Sequence, residues 1–153
     1  GVITAVGSKR TNTAEQEKMS DGIILRSMDR GHSFQEAHIA PDSPLLEVVW
    51  SSAGQQLIAT GMKGTVLRSF DTGKSWIQTR VKESVKLWAA HFHDQNAGLV
   101  AGGETPWMDK EKSRGIILQT LDGAKSFNVA WTGKSRISDF SFVKSSIILH
   151  AHH

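Results

Sequence analysis

Three aspartates, Asp29, Asp71 and Asp122, sit in three near-copies of one phrase: RSMDRGHSF at 26–34, RSFDTGKSW at 68–76 and QTLDGAKSF at 119–127. A carboxylate can act as acid, base, nucleophile or metal ligand. It can also staple a turn, accepting backbone N–H groups that a bend has taken out of a ladder. Recurrence at one position of each copy points to the staple. Ser27, Ser69 and Thr120 precede the aspartates by two residues and can tie the far side of the loop. Gly31 and Gly73 supply left-handed backbone at no steric cost. Phe34, Trp76 and Phe127 are expected to plug the layer beneath each turn. The third copy departs from the pattern: its glycine is Gly123, and Ala124 stands where the others have Gly31 and Gly73. That turn must change type or accept strain of about 1–2 kcal/mol.

Other residues could do chemistry. Glu47, Glu104, Asp109 and Asp139 are candidates for a two-carboxylate hydrolytic pair, but none lies in a motif. Asp139, inside the apolar run ISDFSF, is the one most expected to face a channel. His91 and His93 alternate in HFH and so share one side of a strand end. Two histidines at that spacing can bind a metal, but no third ligand is identifiable, and neither metal nor cofactor is expected. The chain has no cysteine and no tyrosine, which removes disulfides, thiolate sites and both of those nucleophiles. Arg26 and Arg68 hold equivalent positions, with Gln119 in the third copy. That equivalence favours a feature of the repeat over a substrate clamp, and both arginines are also held as possible partner contacts.

The elements that position these residues recur with the phrase. Asp29 and Asp71 are 42 residues apart, and Asp71 and Asp122 are 51 apart. The longer interval contains an insertion, ETPWMDKEKSR at 104–114; without it the period is about 40, typical of a four-stranded propeller blade. Upstream of each aspartate lie GIILRS, GTVLRS and GIILQT, and before those LIATG and GLVAGG, with GVITAVG opening the chain in the same style. Further upstream come LLEVVWSS, VKLWAAHF and RISDFSFV. These are short Val/Ile/Leu/aromatic runs punctuated by Gly, which read as strands. No stretch sustains helical periodicity, and TAEQEKMS at 13–20 reads as loop.

The expected fold is therefore all-β, with β-propeller blades of four antiparallel strands and about three blades in the chain. Calling the strands A to D, the second blade has A near 45–51, B near 56–60, C near 64–69 and D near 75–80. The third has A near 86–92, B near 97–102, C near 115–120 and D near 126–131. The chain starts on a B strand and adds a further A strand at 137–143. Residues 1–149 are expected to form one partial propeller domain, with the His-rich 150–153 as a tail. Unpaired edges are an aggregation hazard. The chain is thus expected to be part of a longer propeller or half of a six-bladed ring, a homodimer in which strand 137–143 completes the partner's first sheet.

The phrase resembles the Asp-box, or BNR repeat, of sialidases, sortilin-type receptors, xyloglucan hydrolases and photosystem II assembly factors. LWAAHFHDQNAGLVAGG followed by GIILQTLDGAKSF is similar to the blades of the Ycf48/HCF136-like assembly factors and their bacterial relatives. The likeness spans about residues 20–131. It implies a propeller in which the box is a structural staple on the outer part of a blade. Sialidase chemistry is not expected, because that family uses a tyrosine nucleophile and three arginines on the sugar carboxylate. The role implied is a non-enzymatic scaffold binding a protein or peptide. The alternative is a carbohydrate-active propeller, either a glycan binder or a glycoside hydrolase.

The insertion around Pro106, Trp107 and Met108 is the expected partner contact, since aromatic and Met side chains are enriched at interface centres. Net charge is +3 with a pI near 9.3, but dense Lys/Arg runs are missing, so no nucleic-acid partner is expected. No apolar run approaches the roughly 20 residues that cross a bilayer, and no basic-then-apolar leader opens the sequence. The compartment is left open, with the periplasm or extracellular space preferred.

Overall fold

The computed structural model describes residues 1–10, 20–51, 54, 56–82, 85–104, 112–143 and 146–152. The fold is all-β. In the first sheet, β1 (Ile3–Lys9), β2 (Asp21–Ser27) and β3 (Gln35–Ala40) pair in chain order. The second comprises β4 (Leu45–Trp50), β5 (Leu57–Gly61), β6 (Thr65–Ser69) and β7 (Ile77–Arg80), with one 3₁₀ turn at Met62–Gly64. The third comprises β8 (Lys86–Phe92), β9 (Gly98–Glu104), β10 (Arg114–Thr120) and β11 (Asn128–Gly133). Last come β12 (Arg136–Val143) and β13 (Ser146–His152), paired with each other. Every pairing is antiparallel. Among the described residues this is a partial propeller of stacked meander sheets, and no helix there is long and apolar enough to cross a membrane.

The period-2 alternation of a strand sends successive side chains to opposite faces, so a sheet packed on both sides must be apolar on both. Ile58 and Val66 of the second sheet join Leu87, Val100, Ile116 and Leu118 of the third in one buried cluster. Their neighbours Ala59 and Leu67 point the other way and bury Ile24 and Ala40 of the first sheet. Ala101 and Ile117 likewise turn from the second sheet to cover Ile137 of β12. Each core lies between two sheets and none within one, which is why the blades hold only as a stack.

The first strand of the second, third and fourth sheets carries a bulge at one shared place: between Leu45 and Glu47, Leu87 and Ala89, and Ile137 and Asp139. A bulge pushes the backbone locally toward its neighbour. A Cβ on Gly61 would sit 2.4 Å from the Pro44 carbonyl oxygen, and one on Gly102 would sit 1.8 Å from that of Lys86. The glycines that close LIATG and GLVAGG are there because a side chain would strike the bulged partner.

Two expectations are corrected at the end of the chain. His150, Ala151 and His152 are not a tail; they continue β13, with His150 opposite Asp139 and His152 opposite Arg136. And β12 pairs with β13 instead of standing free to complete the sheet begun by β1.

Candidate functional site

Each of the three repeated phrases joins the last two strands of its sheet, and contacts from Arg26 to Thr72 and from Arg68 to Gly123 put the turns at one end of the stack. In the first, the Ser27 hydroxyl donates to Asp29 Oδ1 at 2.8 Å and accepts the Gly31 N–H at 2.8 Å. Asp29 also accepts the Ser33 N–H at 2.9 Å and the Ser33 hydroxyl at 2.6 Å. Ser69, Asp71, Gly73 and Ser75 repeat this arrangement in the second sheet. Thr120, Asp122, Ala124 and Ser126 repeat it in the third. The sequence reading overlooked Ser33, Ser75 and Ser126, although a serine four residues past each aspartate was visible in all three copies.

These donors stabilise the ionised carboxylate. The Ser33 hydroxyl and N–H, then Ser27, pull Asp29 down to about 2. The Ser75 and Ser126 donors hold Asp71 and Asp122 lower still. A carboxylate so firmly ionised and so fully used by its own turn is poorly suited to move protons.

The backbone of the turns explains the odd third copy. Arg30 and Gly31 have φ of 62° and 90°, Thr72 and Gly73 have 60° and 81°, and Gly123 and Ala124 have 72° and 64°. All three turns use two consecutive left-handed residues. The third keeps the turn type and exchanges which of the two is glycine, so Ala124 carries the strain that Arg30 and Thr72 carry elsewhere. Its methyl is buried against the cluster between the second and third sheets.

Arg26 and Arg68 reach forward by one sheet. The Arg26 guanidinium donates to the Thr72 carbonyl at 2.8 Å and the Thr72 hydroxyl at 3.2 Å. Arg68 Nη1 donates to the Gly123 carbonyl, beneath a surface that leaves the residue 9% exposed. Thr72 and Gly123 each directly follow their aspartate, so the two contacts are equivalent. Gln56, fully buried, adds a second tie at the same joint, donating to the carbonyls of Asp94 at 3.2 Å and Gln95 at 3.3 Å. The aromatic residues reach backward. Trp76 packs on the core shared with the first sheet, and Phe127 on that shared with the second. Phe34, on the first sheet, is 45% exposed, because no described sheet lies behind it.

Glu47 and Asp139 occupy the same position relative to their bulges, two sheets apart, with Ala89 between them in register. Burial pushes the Glu47 carboxyl up to about 7; the Ala90 N–H opposes this and the nearby charge of Asp139 adds to it. Its Oε2 is buried without a hydrogen-bond partner. A carboxyl whose pKa is raised toward neutral by burial, next to a second acidic side chain, is the kind of pair that acid–base catalysis uses. His91 and His93 line a hollow of about 130 Å³ with Leu99 and Gln119, and burial lowers the His91 pKa. Among the described residues no group of three potential metal ligands forms. Trp107, Met108, Pro106 and Asp109 lie outside the described residues.

The shared end of the sheets also carries a row of exposed apolar side chains that the sequence reading passed over. Met28, Phe70 and Leu121, each between the Ser/Thr and the Asp of its turn, are 62%, 48% and 67% exposed. The signal was the middle residue of Ser/Thr-x-Asp, which is large and apolar in every copy. Trp50 and Trp131 are exposed as well. The Trp131 ring lies over the paired glycines of β10 and β11, where a Cβ on Gly133 would come within 2.5 Å of it.

No protein-family model matches the chain, and no curated protein matches it. Among solved structures, the GH74 enzyme of Niastella koreensis superposes with a TM-score of 0.56 at 11% identity, over 72% of this chain and 20% of that one. The chain spans about a fifth of that enzyme's length. The likeness is one of fold, a propeller-type, all-β arrangement of stacked sheets.

Proposed function

We propose that this propeller segment is a non-enzymatic scaffold that holds a protein or peptide partner against the end of the sheets bearing the three repeated turns. The observation that carries this reading is the row Met28, Phe70 and Leu121. A turn does not need a large apolar residue at its tip, and an exposed one gains free energy when a partner covers it. Three at one repeat position offer a partner the same apolar contact at successive turns. Each turn is cross-tied by its Ser/Thr and Asp side chains, and such preorganisation would lower the entropy lost on docking. The likeness to Ycf48/HCF136-like blades agrees with a scaffold role.

The test compares wild type with a triple variant, Met28→Ser/Phe70→Ser/Leu121→Ser, as bait in lysate of the source cell, with both baits shown to be equally folded. A partner held by wild type and lost by the variant is the expected result. A partner retained by the variant would place the contact elsewhere.

A second reading is favoured by Glu47 and Asp139: a carbohydrate-active propeller in which these two side chains form the hydrolytic pair. The structural neighbour is a glycoside hydrolase, and exposed Trp50 and Trp131 are the kind of flat surface on which a sugar ring stacks. Release of reducing ends from a polysaccharide by wild type, abolished in Glu47→Gln, would favour this reading over the scaffold.

A further inference from the structure

We infer that the partner segment recognised at these turns is acidic, and that it seats a carboxylate in the groove between the first and second turns. The inference rests on the scaffold reading above and specifies its partner. The groove is about 320 Å³ and is lined by Arg26, Met28, Asp29, Glu36 and Lys74 among others. It holds charges of both signs, so the question is which of them are already compensated.

Of the acidic groups, Glu36 is paired with Lys9 at 2.7 Å, whereas Asp29 keeps its charge and directs both oxygens to Ser27 and Ser33 of its own turn. Arg26 directs its guanidinium to the neutral oxygens of Thr72 and is in no ion pair among the described residues. Lys74 contributes only its backbone N–H to Asp71, and its ammonium is in no ion pair among the described residues. With Glu36 and Lys9 cancelling, the groove sets two cations, Arg26 and Lys74, against the single carboxylate of Asp29, beside the exposed thioether of Met28. A segment with a carboxylate flanked by apolar side chains complements both properties, the charge steering the encounter and the apolar contact supplying affinity.

An apolar tip beside a lysine recurs at the third turn, which offers Leu121 and Lys125. At the second turn Phe70 lies over Arg68, with the guanidinium carbon 5.8 Å from the ring centre, but that arginine is buried on the Gly123 carbonyl. An extended acidic segment with alternating apolar residues could therefore follow the row from turn to turn. Arg26 and Lys74 line a hollow between two turns, a shape that favours a side chain entering between them over a flat anionic bilayer resting across the turns.

The probe is a short fluorescein-labelled peptide of alternating glutamate and leucine, read by anisotropy on the intact chain. Its controls are the same peptide with lysine for glutamate, and vesicles of phosphatidylglycerol and phosphatidylcholine. The expected result is binding of the glutamate peptide alone, weakened roughly tenfold by Lys74→Glu and steeply by added salt. Lys74 is an exposed side chain without a structural contact, so that variant should fold as wild type; Lys74→Gln, with a smaller loss, serves as a check. Equal binding of the lysine peptide, indifference to Lys74→Glu, binding to vesicles only, or no binding of any probe would each overturn the inference. If the triple apolar variant loses the peptide while Lys74→Glu retains it, the scaffold reading stands and the acidic partner does not.

Discussion

Arg68 donates a guanidinium hydrogen bond to the carbonyl of Gly123 in the next sheet, and Arg26 makes the equivalent bond to Thr72 one sheet earlier. The repeated turn therefore does two things. Its aspartate closes the hairpin, and the carbonyl that follows accepts a latch from the sheet before it. A propeller without a core inside any single sheet depends on such joints as well as on apolar packing.

The two latches differ in burial, which sets the first prediction. Arg68→Met removes the donor from a buried carbonyl and should destabilise the chain by about 1–3 kcal/mol. Arg26→Met, at a more exposed joint, should cost about 1 kcal/mol or less. Urea unfolding midpoints at unchanged m-value would show it; equal losses would mean that the buried latch carries no special weight.

The hydroxyl of Ser69 is buried, donating to Asp71 and accepting from Gly73. Ser69→Ala should cost about 1–3 kcal/mol by stranding those partners. The pH dependence has a definite sign. Asp29, Asp71 and Asp122 all have folded pKa values below the ordinary 3.8. Their contribution is complete above the unfolded value and fades as pH falls through the folded one. Thermal midpoints should be insensitive to these groups above about pH 4 and should drop as pH falls toward about 2. A decline beginning near neutral pH would have to come from other groups.

Glu47 works in the opposite direction. Its folded pKa is raised from 4.5 to about 7, so the native state holds a proton that the unfolded chain releases. Stability should fall as pH rises from about 4.5 to about 7 and stay low above that. After discounting for the solvent that reaches the side chain, the loss is on the order of 1–2 kcal/mol. Glu47→Gln should remove that slope and leave the variant more stable than wild type at pH of about 8. Unchanged slopes in melts at several pH values would show that Glu47 is not the group responsible.

The left-handed pairs in the turns separate two substitutions that look alike. Arg30 is exposed with φ of 62°, so Arg30→Gly should gain up to about 1 kcal/mol by relieving strain. Ala124 has the same strain, but its methyl is buried. Ala124→Gly gives up burial of about 0.8 kcal/mol and should leave stability nearly unchanged. Calorimetric melts of the two variants side by side would check this; an Ala124→Gly gain as large as that of Arg30→Gly would show that the methyl is not well packed.

The repeat period, the strands and the turn phrase were legible in the residues because each is a local property. Alternation, glycine punctuation and a carboxylate facing nearby N–H groups all act within a few residues. The serines at 33, 75 and 126 were equally local and were simply passed over. What the local pattern could not supply were relations between sheets. That the arginines latch one sheet to the next became visible only when the stacking of sheets put the Thr72 and Gly123 carbonyls within their reach. The reason for the glycines of LIATG and GLVAGG emerged only once the bulge brought the Pro44 and Lys86 carbonyls against them. Glu47 looked like a solvated carboxylate until its neighbours buried it.

By itself, then, the sequence determined that this chain is all-β, repeats a four-strand unit and closes three hairpins with the same aspartate turn. Only the tertiary structure decided which charges are balanced and which apolar tips stay exposed. The reason is physical: a strand's conformation depends on neighbours along the chain, whereas burial and charge compensation depend on groups tens of residues away that meet only when the sheets stack.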